Sequence, residues 1–148
     1  MSLHKSIYSS NISPPSHQRT LSDDNGEIYI SEQVIKKSRF VGIAKRCNSW
    51  EDAQATIQHI REEHSKSRHV CFGVVLTGGE QQQQQQQQER SSDDGEPTGT
   101  AGIPILGAIK GEGLTNTLCV VVRYFGGIKL GAGGLIRAYA STARDVLR

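Results

Sequence analysis

Apolar positions fall along this chain in blocks whose spacing changes from one segment to the next. Glu27–Ile35 and Arg39–Cys47 alternate or run apolar on either side of Lys36-Lys37-Ser38, which predicts a β-hairpin. Asn48 and Glu51 then form an Asn-x-x-Glu capping pattern. Trp50, Ala53, Ile57, Ile60 and His64 recur three and four residues apart, the apolar stripe of a helix, with Gln54, Gln58, Arg61 and Glu62 on its wet side. Val70–Leu76 is a short apolar run closed by Gly78-Gly79, which reads as a buried strand. Ala101–Glu112 predicts a short helix, where Pro104 is tolerated only in the first turn. Thr117–Phe125 is the strongest strand. Leu118, Val120, Val121 and Val122 are apolar without alternation, so both faces should be covered. Leu130–Arg148 opens on glycines and becomes a helix, with Ile136, Tyr139, Ala140, Ala143, Val146 and Leu147 inward and Arg137, Ser141, Arg144 and Arg148 on another face. The order ββαβαβα predicts a sheet packed against helices.

Composition changes this picture at two places. The 148 residues are enough for one domain with its own core. The hydrophobic fraction, 35%, is low because 16 glycines and the eight glutamines Gln81–Gln88 dilute it. Residues 78–93 therefore read as a flexible loop expansion; a coiled-coil or aggregation element would lack apolar anchors. Residues 1–26 read as a disordered tail. The tail has no apolar core of a secretory signal, and a mitochondrial leader is disfavoured by having only Lys5 and Arg19 as basic residues and by Pro14-Pro15. The domain is thus expected over 27–148. No apolar run approaches the roughly 18 residues of a membrane span. Cys47, Cys71 and Cys119 are isolated, which excludes a disulfide framework or a CxxC zinc site and fits a reducing, cytoplasmic setting. Charge is uneven: residues 1–100 hold 11 basic and 13 acidic side chains, residues 101–148 six and two. The C-terminal third is therefore mildly basic.

Two segments hold more special residues than a core requires. In the first, Asp93, Asp94 and Glu96 fall within four residues and lead into a turn-rich stretch with Thr98 and Thr100. Clustered carboxylates suit a divalent cation or a general base. They suit equally the capping of the following helix and the satisfaction of turn amides, the reading favoured here, and no metal or cofactor is assigned. In the second, which begins at Arg123, the end of the strand runs through Gly126, Gly127, Lys129, Gly131, Gly133 and Gly134 into the helix that carries Arg137. Glycines expose backbone N–H groups, a helix N-terminus is partly positive, and the three cations add full charge, which describes an anion-receptive site. Close strand–helix packing would demand the same glycines. A P-loop and a dinucleotide fingerprint are absent. Tyr124 and Phe125 read as finishing the core, His59, His64 and His69 as structural, and Cys71 and Cys119 as inert core thiols.

Asp93–Gly102 followed by Val121–Gly131 and Gly134–Tyr139, together with Lys37-Ser38-Arg39-Phe40 and His69-Val70-Cys71-Phe72, resembles the Impact/YigZ family over roughly residues 27–148. The resemblance implies an α+β, two-layer sheet-against-helices sandwich like the second domain of ribosomal protein S5. In that family bacterial members add a ferredoxin-like domain and eukaryotic members an RWD domain that contacts an activator of the amino-acid-starvation kinase. Neither is recognised in these 148 residues. The resemblance carries no catalytic residues. It implies a regulator of translation that binds ribosome- or RNA-associated partners through the basic glycine-rich segment. Two alternatives stand beside it: an enzyme using the Asp94/Glu96 loop with a metal or phosphate, and a protein-interaction domain for cytoskeletal or kinase partners.

Overall fold

The computed structural model describes residues 27–77 and 87–148. Its elements are β1 (Ile28–Ile35), β2 (Ser38–Arg46), α1 (Trp50–Glu63), β3 (His69–Leu76), β4 (Gln88–Ser92), α2 (Gly102–Gly111), β5 (Thr117–Tyr124) and α3 (Gly131–Leu147). The tail expected at 1–26 and residues 78–86 of the expected loop lie outside the described residues. The rest of that loop is corrected: Gln88–Ser92 pairs with β3 as a strand, with Phe72 opposite Ser92 and Leu76 opposite Gln88. Its side chains are almost all exposed, so backbone pairing chiefly defines it and no apolar pattern announces it.

The five strands form one antiparallel sheet in the order β1-β2-β5-β3-β4. This is the expected α+β arrangement of a sheet packed against helices. β5 lies at its centre, and its side chains divide by parity as strand geometry requires. Leu118, Val120 and Val122 join Val41, Ile43, Val70, Phe72 and Val74 beneath α1. Cys119 and Val121 face the other way, into a core with Phe40, Cys71, Ile105, Ile109, Tyr139 and Val146 from beneath α2 and α3. Both faces of β5 are covered, α1 on one side and α2 with α3 on the other.

Local chemistry sets the boundaries. α1 starts one residue later than the capping pattern suggests: Ser49, not Asn48, accepts the Asp52 N–H at 3.1 Å. On α3 Tyr139, Ala143, Val146 and Leu147 are buried as expected and Leu135, Ala138 and Thr142 join them, whereas Ile136 is 42% exposed and Ala140 only half-buried. The β1–β2 hairpin closes through Lys36 and Lys37, both at positive φ (46° and 67°), a two-residue turn that normally takes Asn-Gly. α2 lies so close to β3 that a Cβ on Gly73 would stand 2.8 Å from the Leu106 backbone N.

Candidate anion-binding site

The sequence's two special segments meet in space. Glu96 lies in the loop after β4 and is only 7% exposed; Arg123 is the penultimate residue of β5 and is 5% exposed. One guanidinium nitrogen, Nη1, reaches both Glu96 oxygens, at 3.1 and 2.8 Å. Arg123 Nε and Nη2 also lie 3.4 and 3.3 Å from Ser38 Oγ. Tyr139 Oη of α3 donates to Glu96 Oε2. Burial, above all, pushes the Tyr139 hydroxyl far above its ordinary range, so it stays a protonated donor. His69 Nδ1 lies 2.8 Å from the Asp94 carbonyl and so donates to it, while its Nε2 sits 3.5 Å from Glu96 Oε1. Arg123 follows Cys119 and Val121 on its strand face, and that parity points it inward. It was expected as an anion contact; its charge is instead matched by Glu96.

The acidic loop behaves as a set of backbone acceptors. Asp93 accepts from the N–H groups of Gly99, Ala101 and Gly102 at 3.0, 3.1 and 2.8 Å. Desolvation opposes its ionisation, but these three bonds outweigh it and hold the Asp93 carboxyl below its usual range. Asp94, at φ 41°, accepts the Val70 N–H at 2.7 Å and pairs with Arg61 at 3.2 Å. Thr100 Oγ1 donates to the Pro97 carbonyl, and Thr98 is exposed. Cys71 donates to the Asp93 carbonyl at 3.1 Å; burial raises its thiol to about 12, and it does the same for Cys47. The proximity that a catalytic reading requires is present at Glu96, yet each loop carboxylate is engaged by internal donors. Among the described residues no group of three or more His, Cys, Asp or Glu side chains converges as a metal site.

Beside the Arg123–Glu96 pair opens a cleft of about 440 Å³, lined by Arg68, His69, Pro97, Phe125, Lys129 and the start of α3 among others. No side chain caps the N-terminus of α3, so its first-turn N–H groups face this end without a protein acceptor. Lys129 is exposed, and neither it nor Arg68 has an acidic partner among the described residues. Arg68 instead lies 5.2 Å from the centre of the Phe125 ring, which Arg123 approaches to 5.3 Å. Phe125 is 37% exposed and lines the cleft instead of closing the core.

The glycines divide by cause. Gly126 is a packing residue: a Cβ there would fall 1.9 Å from the Lys37 carbonyl oxygen, and its N–H donates to Ser38 at 3.2 Å. Gly127 and Gly131 take positive φ, 93° and 75°, which shapes the turn into α3. Gly133 and Gly134 lie in the first turn of α3, with the Arg137 guanidinium folded back over Gly133. Arg137 lines a different groove from Lys129, on the other side of Leu130. Arg68 was missed, because it sits in the polar connection before β3 and only the fold carries it to the cleft.

The Impact N-terminal domain family model matches residues 36–147. The chain belongs to the Impact family. Family member YvyE of Bacillus subtilis is 47% identical over 116 residues, which is 78% of this chain and 51% of that protein. YigZ of Escherichia coli is 43% identical over 116 residues, 78% of this chain and 55% of that one. The chain spans about half the length of these Impact relatives. A crystal structure described as that of a hypothetical protein superposes with a TM-score of 0.74 at 40% identity, over 82% of this chain and 57% of the other. The two-domain translational regulator Yih1 shares the fold, with a TM-score of 0.53 and 24% identity over 93% of this chain and 49% of Yih1. No helix among the described residues is long and apolar enough to cross a membrane.

Proposed function

We propose that this Impact-family domain is a cytoplasmic binding module of translation control that engages an anionic group of ribosome- or RNA-associated machinery at the start of α3. The observation that carries the reading is convergence: an uncapped helix N-terminus and two cations without acidic partners, Arg68 and Lys129, surround one cleft. Anions are favoured at such an end by the helix dipole and the free N–H groups. The buried Glu96–Arg123 pair supports the cleft wall and adds no net charge. The fold shared with a protein named as a translational regulator is consistent with this role, and the family resemblance extends the proposal to the amino-acid-starvation response.

Co-sedimentation with ribosomes at low salt tests it, with the Arg68→Glu/Lys129→Glu variant beside the wild type. The wild type should pellet with ribosomes and lose that association as salt rises. The variant should bind at least about tenfold more weakly, as expected when two phosphate contacts are reversed. A wild type that stays in the supernatant, or a variant that pellets equally well, overturns the reading.

A further inference from the structure

We infer that a second cationic groove, between the β1–β2 hairpin tip and the outer face of α3, continues the cleft into a track for a nucleic-acid backbone. The groove, about 410 Å³, is lined by Lys36, Leu130, Arg137, Ser141 and Arg144 among others. Lys36, Arg137 and Arg144 have no acidic partner among the described residues, and no acidic side chain lines the groove. Leu130 lines both this groove and the cleft that holds Arg68 and Lys129. Five cations without acidic partners therefore line two hollows that share one apolar residue.

The turn adds an independent sign. Lys36 and Lys37 occupy left-handed backbone positions where lysine is strained and Asn-Gly would be relaxed. From this turn Lys36 lines the groove. The groove's charged groups all donate hydrogen bonds. A phosphodiester backbone presents a negatively charged acceptor to them at every nucleotide, whereas an ordinary peptide backbone offers only neutral carbonyls. Lysine and arginine at such a surface fix a strand by its phosphates without reading sequence.

The inference rests on the cleft reading for one end of the track, so the experiment separates the two. Fluorescence anisotropy with a labelled 16-nucleotide oligouridylate is measured against salt for three proteins, with circular-dichroism melts to confirm folding. Five phosphate contacts predict a slope of log K against log salt of about −3.5. The groove variant Arg137→Gln/Arg144→Gln, which leaves the hairpin turn intact, should fall to about −2.1, as should the cleft variant Arg68→Gln/Lys129→Gln. A groove variant that keeps the wild-type slope while the cleft variant loses it overturns the groove and leaves the cleft standing. If the wild type pellets with ribosomes but does not bind the oligonucleotide, the nucleic-acid track is overturned and the cleft reading survives. Displacement of the oligonucleotide by polyglutamate at equal charge concentration assigns the groove to acidic protein instead, and overturns it in that way.

Discussion

Replacing Glu96 with Gln removes one charge and almost no volume, so it isolates what the carboxylate does for Arg123. In the wild type the guanidinium is 5% exposed, touches both Glu96 oxygens and Ser38, and lies 5.6 and 5.3 Å from the Phe40 and Phe125 rings. Ring faces and one hydroxyl cannot replace a counter-charge. Breaking one partner of a buried pair typically costs about 3–5 kcal/mol, because the other charge stays buried and unmatched. Gln retains one acceptor and the cleft admits water on one side, so the lower end applies, about 3 kcal/mol. For a chain of this length each kcal/mol is worth about 2–4 °C, so the melting temperature should fall by about 6–12 °C. Urea unfolding at pH 7 measures the loss directly. The paired change Glu96→Gln/Arg123→Met removes the orphaned charge and should regain most of it, ending within about 1 kcal/mol of wild type. A single-variant loss below about 1 kcal/mol, or a double variant no more stable than the single, refutes the argument that the pair is a matched buried unit.

Two further outcomes follow from local chemistry. Asp93 has a depressed carboxyl pKa, so the folded state binds fewer protons than the unfolded one: its contribution is complete above the unfolded value near about 3.9 and is lost as pH falls through the lower folded value. Asp93→Asn should cost about 1–2 kcal/mol at pH 7 and flatten the decline of the urea midpoint below about pH 4; an unchanged profile would show that the three N–H bonds do not bias its ionisation. Lys36→Asn/Lys37→Gly relaxes the left-handed turn and should stabilise the domain by about 1 kcal/mol in the same assay while weakening oligonucleotide binding; a loss of stability would mean the turn is not strained.

The central sheet was legible because its strands are written in apolar runs. The unalternating Leu118–Val122 stretch announced two covered faces, and both are covered. β4 was not legible: Gln88–Ser92 has no apolar residue, and its strand character comes from backbone bonds to β3. The cap of α1 was misplaced by one residue because Asn48 and Ser49 are comparable caps by type, and only the Ser49 hydroxyl reaches an amide. In the candidate site, the meeting of the acidic loop and the glycine-rich turn joins residues 27 apart in sequence, which spacing cannot show. The fate of Arg123 turns on strand parity, which was readable, and on Glu96 opposite it, which was not. Lys129 and Arg137, read as one cluster, line different hollows that share Leu130.

The place of β5 has a consequence for how the chain acquires its structure. The middle strand of the sheet is the last one made: β2 and β3 both hydrogen-bond to Thr117–Tyr124 and do not pair with each other. On a growing polypeptide the β1–β2 hairpin and the β3–β4 pair remain two separate half-sheets, their inner edges open, until residues some 70 positions beyond β2 emerge. Such distant pairings are slow to form, and open strand edges invite wrong partners while they wait. Nascent chains halted before Thr117 should therefore be protease-sensitive and adhesive, and extension past Tyr124 should lock both halves in one step.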